Sequence, residues 1–225
     1  MAKPELIVFD VYETLLDMQE VVRKVNTLLD SRRGYTIWFE MFMQYCFVDN
    51  CTSKFNEFGE IAKATMQMAA NTLGTSIEEE EIRDAMELLK HLSVNDGVQQ
   101  GFSILSSSEL RIAALTNSSK PALIERMERT GLISYFERVF NAEEIKKYKP
   151  CPDVYLWALK EMGVEPSKAL MVSAHGWDIA GAANAGMQTA YLKQGKQMLY
   201  PLAPSPNYTC VTIEDLARQL TGVTA

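Results

Sequence analysis

Cysteines are few in this chain of 225 residues, and long apolar runs and an excess of basic residues are missing. The four cysteines, at positions 46, 51, 151 and 210, match no CxxC pattern of a zinc or redox site and are most simply reduced thiols. No apolar run approaches the roughly 18 residues of a membrane span, and the first residues lack a signal-peptide pattern. The net charge of −7 argues against a nucleic-acid partner, which needs a basic patch. We therefore expect a cytoplasmic protein that binds a small molecule, with no membrane or nucleic-acid partner.

Short apolar runs recur along the chain and predict strands that are buried on both faces of a parallel sheet. They cover residues 6–9, 111–116, 169–173, 188–192 and 208–211. Between and after the later runs, helical patterns cover residues 120–130, 152–162, 178–185 and 213–220. This alternation predicts an α/β protein with a doubly wound, mainly parallel sheet.

The stretch from residue 17 to residue 92 contains no convincing strand. Its patterns predict four helices, over residues 21–29, 37–47, 54–73 and 77–91. Gly74 is a plausible stop for the third helix, and Ser76 with Glu79 forms a candidate capping box for the fourth. We therefore predict a sheet domain of residues 1–16 and 93–225, interrupted by an all-helical insert of residues 17–92.

Polar residues follow three of the predicted strands. In open α/β sheets, ligand sites form beyond the carboxyl ends of the strands. Two acids, one imidazole, one ammonium group and several hydroxyls and amides are therefore expected to converge there. The residues concerned are Asp10, Tyr12, Thr14, Thr116, Asn117, Ser118, Lys149, Ser173, His175 and Asp178.

Four segments resemble, in order and spacing, the four motifs of the haloacid dehalogenase superfamily. They are residues 9–15 (FDVYETL), 115–117 (LTN), 149–150 (KP) and 172–182 (VSAHGWDIAGA). The helical insert lies where that family has its cap domain, so the resemblance covers essentially the whole chain. It implies a Rossmann-like core with an inserted helical cap and makes Asp10 the covalent nucleophile.

Two positions indicate which branch of the superfamily the chain resembles. Phosphatases of the superfamily carry a general-acid Asp where this chain has Tyr12, and usually a magnesium-binding Asp where it has Ala174. Because Mg²⁺ requires oxygen ligands, a methyl group cannot replace that carboxylate. The chain is more similar to the L-2-haloacid dehalogenases (type II), which share Tyr12 and an aromatic residue at Tyr155 and Trp177, and which need no cofactor.

The resemblance implies hydrolysis of a short 2-haloacid. The Asp10 carboxylate would displace the halide and form an ester, which water hydrolyses to a 2-hydroxy acid. Lys149 would hold the carboxylate, and the remaining residues would orient it or shape the pocket. Thr14 and Asp178 would orient the carboxylate, and Thr116 and Asn117 would both orient it and contact the substrate. The other residues expected to contact the substrate are Tyr12, Phe39, Tyr155, Ser173 and Trp177.

Three departures from the branch stand out. Its cap arginine, which binds halide and substrate carboxylate, is replaced by Phe39, and the nearest arginines are residues 32 and 33. Its usual asparagine is His175, and its usual glycine is Glu13. An imidazole beside a carboxylate can act as a general base near neutral pH. We therefore hypothesise that His175 activates the hydrolytic water and that Glu13, or else Asp17, orients it.

Other interpretations stay open at this point. The chain could be a Mg²⁺-dependent phosphatase acting on a small phosphorylated metabolite, or a non-catalytic protein that binds a ligand or partner. Asp10 and Thr14 could be simple helix caps, and Asn117 a turn residue. The long apolar helix predicted over residues 54–73 could also form the seam of a homodimer.

Overall fold

The protein is described by a computed structural model, in which residues 3–194 and 198–223 are placed. Within these residues, six strands form one sheet in the order β3-β2-β1-β4-β5-β6, and every neighbouring pair is parallel. The strands are β1 (Leu6–Phe9), β2 (Arg111–Thr116), β3 (Arg138–Asn141), β4 (Ala169–Ser173), β5 (Gln188–Leu192) and β6 (Tyr208–Cys210).

The sheet reverses its strand order at β1. From β1 the chain builds outward through β2 and β3 on one side, then returns to place β4, β5 and β6 on the other. Residues 6–9 pair with β2 on one side and with β4 on the other, and all four of them are buried. Such a switch point is where α/β sheets form ligand sites, so the end of β1 is the expected location.

Nine α-helices are found in the described part of the chain. They are α1 (Gln19–Leu28), α2 (Gly34–Thr52), α3 (Phe58–Leu73), α4 (Glu79–Glu87), α5 (Val98–Ser106), α6 (Lys120–Arg129), α7 (Pro152–Met162), α8 (Gly176–Asn184) and α9 (Ile213–Thr221). Helices α1 to α4 fill the connection between β1 and β2. The predicted α/β class with an inserted helical region is therefore confirmed, while the exact domain limits at residues 16 and 92 stay predictions.

Three apolar clusters hold these elements together. One covers a sheet face with α5 and α9, and a second covers the other face with α7 and α8. The third lies inside the helical insert, around Trp38, Phe42 and Met66, and continues to Leu123 and Met127 of α6. The insert is therefore packed on the edge of the sheet where β1 ends.

Two elements were not predicted from the sequence. β3 has four residues, and one of them is an exposed arginine, so it lacks the continuous apolar run used to identify the others. α5 contains Gly101 and two serines, which lower its intrinsic helix propensity. Packing against α9, rather than local propensity, accounts for this helix.

The capping box of α4 was placed two residues too early. Glu78, not Ser76, is the N-cap, and its partner is Glu81, whose carboxylate accepts a hydrogen bond from the Glu78 amide at 2.9 Å. The helix begins at this point because Ile77 and Ile82, which flank the capping box, are both buried in the insert and form a hydrophobic staple. The stop at Gly74 is confirmed, because this residue ends α3 with a φ of 73°.

Gly101 gives a test of the contact between α5 and α9. A Cβ atom there would lie 2.7 Å from the Ile213 carbonyl carbon and 2.8 Å from the Glu214 nitrogen, both backbone atoms. We expect Gly101→Ala to lower the free energy of unfolding by roughly 1–3 kcal/mol, because backbone cannot move aside as a flexible side chain can.

The matched control is Gly59→Ala in α3, where no atom lies within 4 Å of the added Cβ. That change is expected to be neutral or to stabilise the protein by up to about 1 kcal/mol. Urea denaturation of both variants measures the difference. Equal destabilisation by the two substitutions would show that close packing at Gly101 is not the cause.

Candidate active site

The carboxylate of Asp10 follows β1 and is almost completely buried, at 5% exposure. Its Oδ1 accepts a hydrogen bond from Lys149 Nζ at 2.8 Å, and its Oδ2 accepts one from Thr14 Oγ1 at 2.8 Å. His175 Nδ1 lies 3.1 Å from the same Oδ2. Burial raises the pKa of Asp10, but Lys149 and His175 outweigh it and hold that pKa well below its usual range. The group is therefore an ionised carboxylate that is shielded from water.

Lys149 joins two carboxylates. Its Nζ donates to Asp178 Oδ2 at 2.7 Å as well as to Asp10, and Tyr155 Oη donates to Asp178 Oδ1 at 2.6 Å. Burial lowers the pKa of Lys149, but the charges of Asp10 and Asp178 outweigh it and raise that pKa. Lys149 is thus a fixed cation, since a buried charge is tolerated when it is paired on several sides.

Several predicted site residues contact the neighbours of Asp10 rather than Asp10 itself. Asn117 Oδ1 accepts from the Lys149 amide at 2.8 Å, and Asn117 Nδ2 donates to the Lys149 carbonyl at 3.2 Å. Ser173 Oγ accepts from the amide of His175 at 3.1 Å. Thr116 Oγ1 lies 3.2 Å from Ser118 Oγ. The structure therefore gathers these residues at one sheet edge, where they fix the main chain on which the charged groups stand.

The imidazole of His175 bridges Asp10 and Glu13. Its Nε2 lies 3.0 Å from Glu13 Oε2, while Tyr35 Oη donates to Glu13 Oε1 at 2.6 Å. Asp17, the other sequence candidate, instead accepts a hydrogen bond from the Gln19 amide. Burial lowers the pKa of His175, but its hydrogen bonds to Asp10 and Glu13 outweigh it and raise that pKa to about 10. At neutral pH the resting imidazole is therefore cationic.

Glu13 adopts a left-handed backbone conformation, with a φ of 61°. Such a conformation costs a residue other than glycine about 1–3 kcal/mol, and it persists only where surrounding contacts maintain it. Here Asn95 Nδ2 donates to the Glu13 carbonyl at 2.9 Å, and the side chain is held by His175 and Tyr35. The strained turn directs the Glu13 carboxylate at His175.

Aromatic rings enclose His175 on both faces. The ring of Trp177 stacks on it with centroids 5.0 Å apart, and the ring of Phe39 stacks with centroids 5.7 Å apart. Tyr35 in turn stacks on Phe39 at 5.8 Å with an interplanar angle of 5°. Phe39, expected only as a pocket wall, is thus a direct neighbour of the imidazole.

A cavity of about 400 Å³ lies beside this stack, between the sheet edge and the helical insert. His175 and Glu13 form part of its wall, and six of the other lining residues are aromatic. The rings are those of Tyr12, Tyr35, Trp38, Phe39, Phe42 and Phe58. Arg32 and Arg33 are exposed and do not line it. A small substrate with an apolar body fits such a cavity.

Sequence reasoning missed most of the lining residues, among them Tyr35, Trp38 and Arg126. Arg126 carried a readable signal, because it lies between Leu123 and Met127 on the buried face of α6. A charged residue within an apolar stripe is unusual enough to be examined as functional. Tyr35 and Trp38 carried no such signal, since aromatic residues in a helix are ordinarily core.

Mg²⁺ chemistry does not fit the residues at the sheet edge. Within residues 3–194 and 198–223, no group of three or more His, Cys, Asp or Glu side chains is arranged to hold a metal. Ala174 is buried and offers no oxygen ligand from its side chain, and Lys149 already occupies both Asp10 and Asp178. No helix in the described part of the chain is long and apolar enough to cross a membrane.

The charge of His175 should make stability depend on pH. Its pKa is about 10 in the folded protein against an ordinary value of 6.5, so the cation favours folding. This contribution is complete below the unfolded pKa and is lost as the pH rises through the folded pKa. We expect the free energy of unfolding to fall over this window in the wild type and to fall less in His175→Asn.

Urea denaturation at several pH values between 6.5 and 10 measures this difference. His91→Asn is the matched control, because His91 is exposed and does not itself line the cavity. If His175→Asn showed the same pH slope as the wild type, the bridging cation would contribute nothing to stability.

Comparison with known proteins places this site in a family. A family model described as haloacid dehalogenase-like hydrolase matches residues 4–186. The (S)-2-haloacid dehalogenase of Xanthobacter autotrophicus is 26% identical over 186 residues, which are 82% of this chain and 73% of that protein. The (S)-2-haloacid dehalogenase 2 of Pseudomonas sp. (strain CBS-3) is 23% identical over 222 residues, or 97% and 96% of the two chains.

A solved structure agrees in fold. The L-2-haloacid dehalogenase from Xanthobacter autotrophicus with chloropropionic acid covalently bound has a TM-score of 0.86 at 22% identity, and the match covers 98% of this chain and 100% of that one. The resemblance inferred from the four sequence motifs is therefore confirmed. The family model matches well over half of this chain. The chain therefore belongs to the haloacid dehalogenase-like hydrolase family.

Proposed function

We propose that this protein is an (S)-2-haloacid dehalogenase that works through a covalent ester on Asp10. The observation that carries the proposal is the buried Asp10 carboxylate, which Lys149 holds ionised while no acid stands two residues later, at Tyr12. A halide leaves as a stable anion and needs no proton, so the missing acid is no obstacle. The names of the two curated relatives support the same reaction.

In the first half-reaction, one carboxylate oxygen of Asp10 attacks C2 of the substrate. A carbon–oxygen bond forms as the carbon–halogen bond breaks, and the halide departs with the bonding electrons. Lys149 and Thr14 hold the carboxylate by 2.8 Å hydrogen bonds, which fixes the direction of attack. Burial at 5% exposure strips water from the nucleophile and leaves it more reactive.

In the second half-reaction, water attacks the ester carbonyl carbon of Asp10. In the resting protein, a hydrogen bond to Asp10 and the charge of Asp10 both raise the pKa of His175. The ester carries no negative charge, so both interactions are weakened and that pKa falls. The imidazole then loses its extra proton to solvent and becomes able to accept one from the attacking water. Collapse of the tetrahedral intermediate releases the 2-hydroxy acid oxygen, which takes that proton, and leaves Asp10 as a carboxylic acid that holds the second proton of the water. Asp10 passes this proton to His175, which restores both the carboxylate and the cationic imidazole.

The remaining residues position these groups. Glu13 and Tyr35 hold the far side of the imidazole, while Phe39 and Trp177 keep its plane fixed. Asp178 and Tyr155 anchor the amine of Lys149. We propose that Thr116, Asn117, Ser173 and Tyr155 support the structure of the site. This role replaces the substrate contact expected for them from the sequence.

No cofactor is required by this chemistry, and the phosphatase alternative loses support from Tyr12 and Ala174. Membership of a hydrolase family favours an enzyme over a non-catalytic binding protein. A cytoplasmic location and a homodimer stay predictions. The apolar face of α3, offered as a dimer seam, packs inside the insert instead, through residues such as Ile61, Met66 and Ala69.

Halide release tests the proposal directly. We expect chloride from (S)-2-chloropropionate, undiminished by EDTA, and no release from Asp10→Asn, because an amide is a poor nucleophile. Asp17→Asn is the matched control and should retain activity. Phosphate release from p-nitrophenyl phosphate that requires Mg²⁺, in the absence of chloride release, would replace the dehalogenase assignment with the phosphatase one.

The role of His175 predicts a trapped intermediate. We expect His175→Asn to release about one halide per enzyme and then to slow by roughly 10²–10⁴-fold, because it has lost the base that activates water. Mass spectrometry of the peptide containing Asp10 should show the added acyl group. Glu13→Gln should accumulate the same adduct to a smaller extent, and His91→Asn should not.

An unchanged rate of ester hydrolysis in His175→Asn would remove His175 from the mechanism. The halide measurement on the wild type would be unaffected by that result, so the two claims can fail separately.

A further inference from the structure

Arg126 is a buried cation that has no role in the reaction steps described above. It belongs to α6, is 6% exposed, and lines the same cavity as His175 and Tyr12. Its Nε atom has no hydrogen-bond partner among the described residues, and no ion pair joins it to a carboxylate there. Burial alone lowers its pKa to about 10, so the guanidinium is still charged at neutral pH.

An unpaired buried charge is costly, and it is found where a ligand completes the pair. The other basic side chains of this cavity are neither buried nor unpaired. Lys63, Arg83 and Lys90 lie at its exposed mouth, with side-chain exposures of 57%, 64% and 44%, and each is paired with a glutamate of its own helical segment. Arg126 is thus the unpaired, buried cation within the described cavity wall.

The surroundings of Arg126 point to an anion. Its guanidinium carbon lies 5.2 Å from the centre of the Tyr12 ring, which orients the planar group by a cation–π contact. Ser118 and Ser119, which follow β2, line the same cavity and bring hydroxyl groups to it. A guanidinium with nearby hydroxyls matches the two oxygens of a carboxylate.

We propose that Arg126 binds the carboxylate of the substrate and that the aromatic part of the cavity holds the apolar body of the acid. This inference rests on the proposed function only for the reaction that follows binding. Binding of a carboxylate at Arg126 does not depend on the proposed function. It places the substrate-binding cation on the sheet domain, in α6, and not on the helical insert, where Phe39 stands. The rings of Trp38, Phe42 and Phe58 leave room for a substituent larger than the methyl group of 2-chloropropionate.

The first test measures binding without turnover. Propionate and 3-phenylpropionate are added to the wild-type protein and to Arg126→Met, and thermal unfolding is followed; 3-phenylpropanamide is the neutral control. We expect the carboxylates to raise the Tm of the wild type and not that of the variant, and the amide to have no effect. Arg138→Met is the matched control, because Arg138 is an arginine outside the cavity that is paired with Glu161.

The same variant separates a binding role from a structural one. Met fills similar space without a charge, so we expect ligand-free Arg126→Met to unfold at an equal or higher temperature, by up to about 2–4 °C. A large drop in Tm would mean that the guanidinium supports the fold, and would overturn the proposal. If Arg126→Met does not fold, Arg126→Gln replaces it in every measurement.

Turnover provides the last arm. With (S)-2-chloropropionate, Arg126→Met should raise KM by roughly 10- to 100-fold while changing kcat less, because it removes a charged hydrogen bond to the substrate. Equal carboxylate stabilisation of wild type and Arg126→Met, or none of either, would overturn the proposal. Absence of halide release from every protein would defeat the dehalogenase assignment, and the carboxylate-dependent shift in Tm would still report on Arg126.

Discussion

The ammonium group of Lys149, placed between the carboxylates of Asp10 and Asp178, is the interaction on which the site depends. It lies 2.8 Å from one and 2.7 Å from the other, and all three side chains are almost completely shielded from water. Removing any one of them would leave a buried charge without its partner, which is strongly destabilising. The segments after β1, before α7 and at the start of α8 must therefore be in place together, and the neighbouring hydrogen bonds of Asn117 serve this requirement.

His175 adds a second layer of charge to this cluster. Its cation faces Asp10 on one side and Glu13 on the other, so the imidazole is strongly protonated before the reaction. In the proposed mechanism, esterification of Asp10 removes one of these two anions. The same bond formation that consumes the nucleophile thus adjusts the proton affinity of the group proposed to activate water, and no additional switch is needed to order the two half-reactions.

The sequence predicted what is encoded in contiguous patterns. Five apolar runs marked five strands, and polar residues at their ends marked the cluster around Asp10, Lys149 and His175. β3 and α5 escaped prediction because tertiary packing stabilises them against weak local signals. The pairing of Glu13 with His175 was left open because it depends on a left-handed φ of 61°, and a residue other than glycine rarely adopts that conformation. Arg126 was overlooked although it lies within an apolar stripe, and its lack of a hydrogen-bond partner is visible only in the three-dimensional structure.

The aromatic stack joins the helical insert to the sheet edge. Tyr35 and Phe39 are carried by α2 of the insert, whereas Glu13, His175 and Trp177 are carried by the sheet edge. Moving the insert away would strip Glu13 of its phenol donor and open one face of the imidazole in the same motion. In such a state His175 would keep its contacts with Asp10, Glu13 and Trp177, and only its face towards Phe39 would be uncovered. The orientation of the Glu13 carboxylate and the shielding of His175 therefore both depend on the position of the insert, and both would change together if it moved.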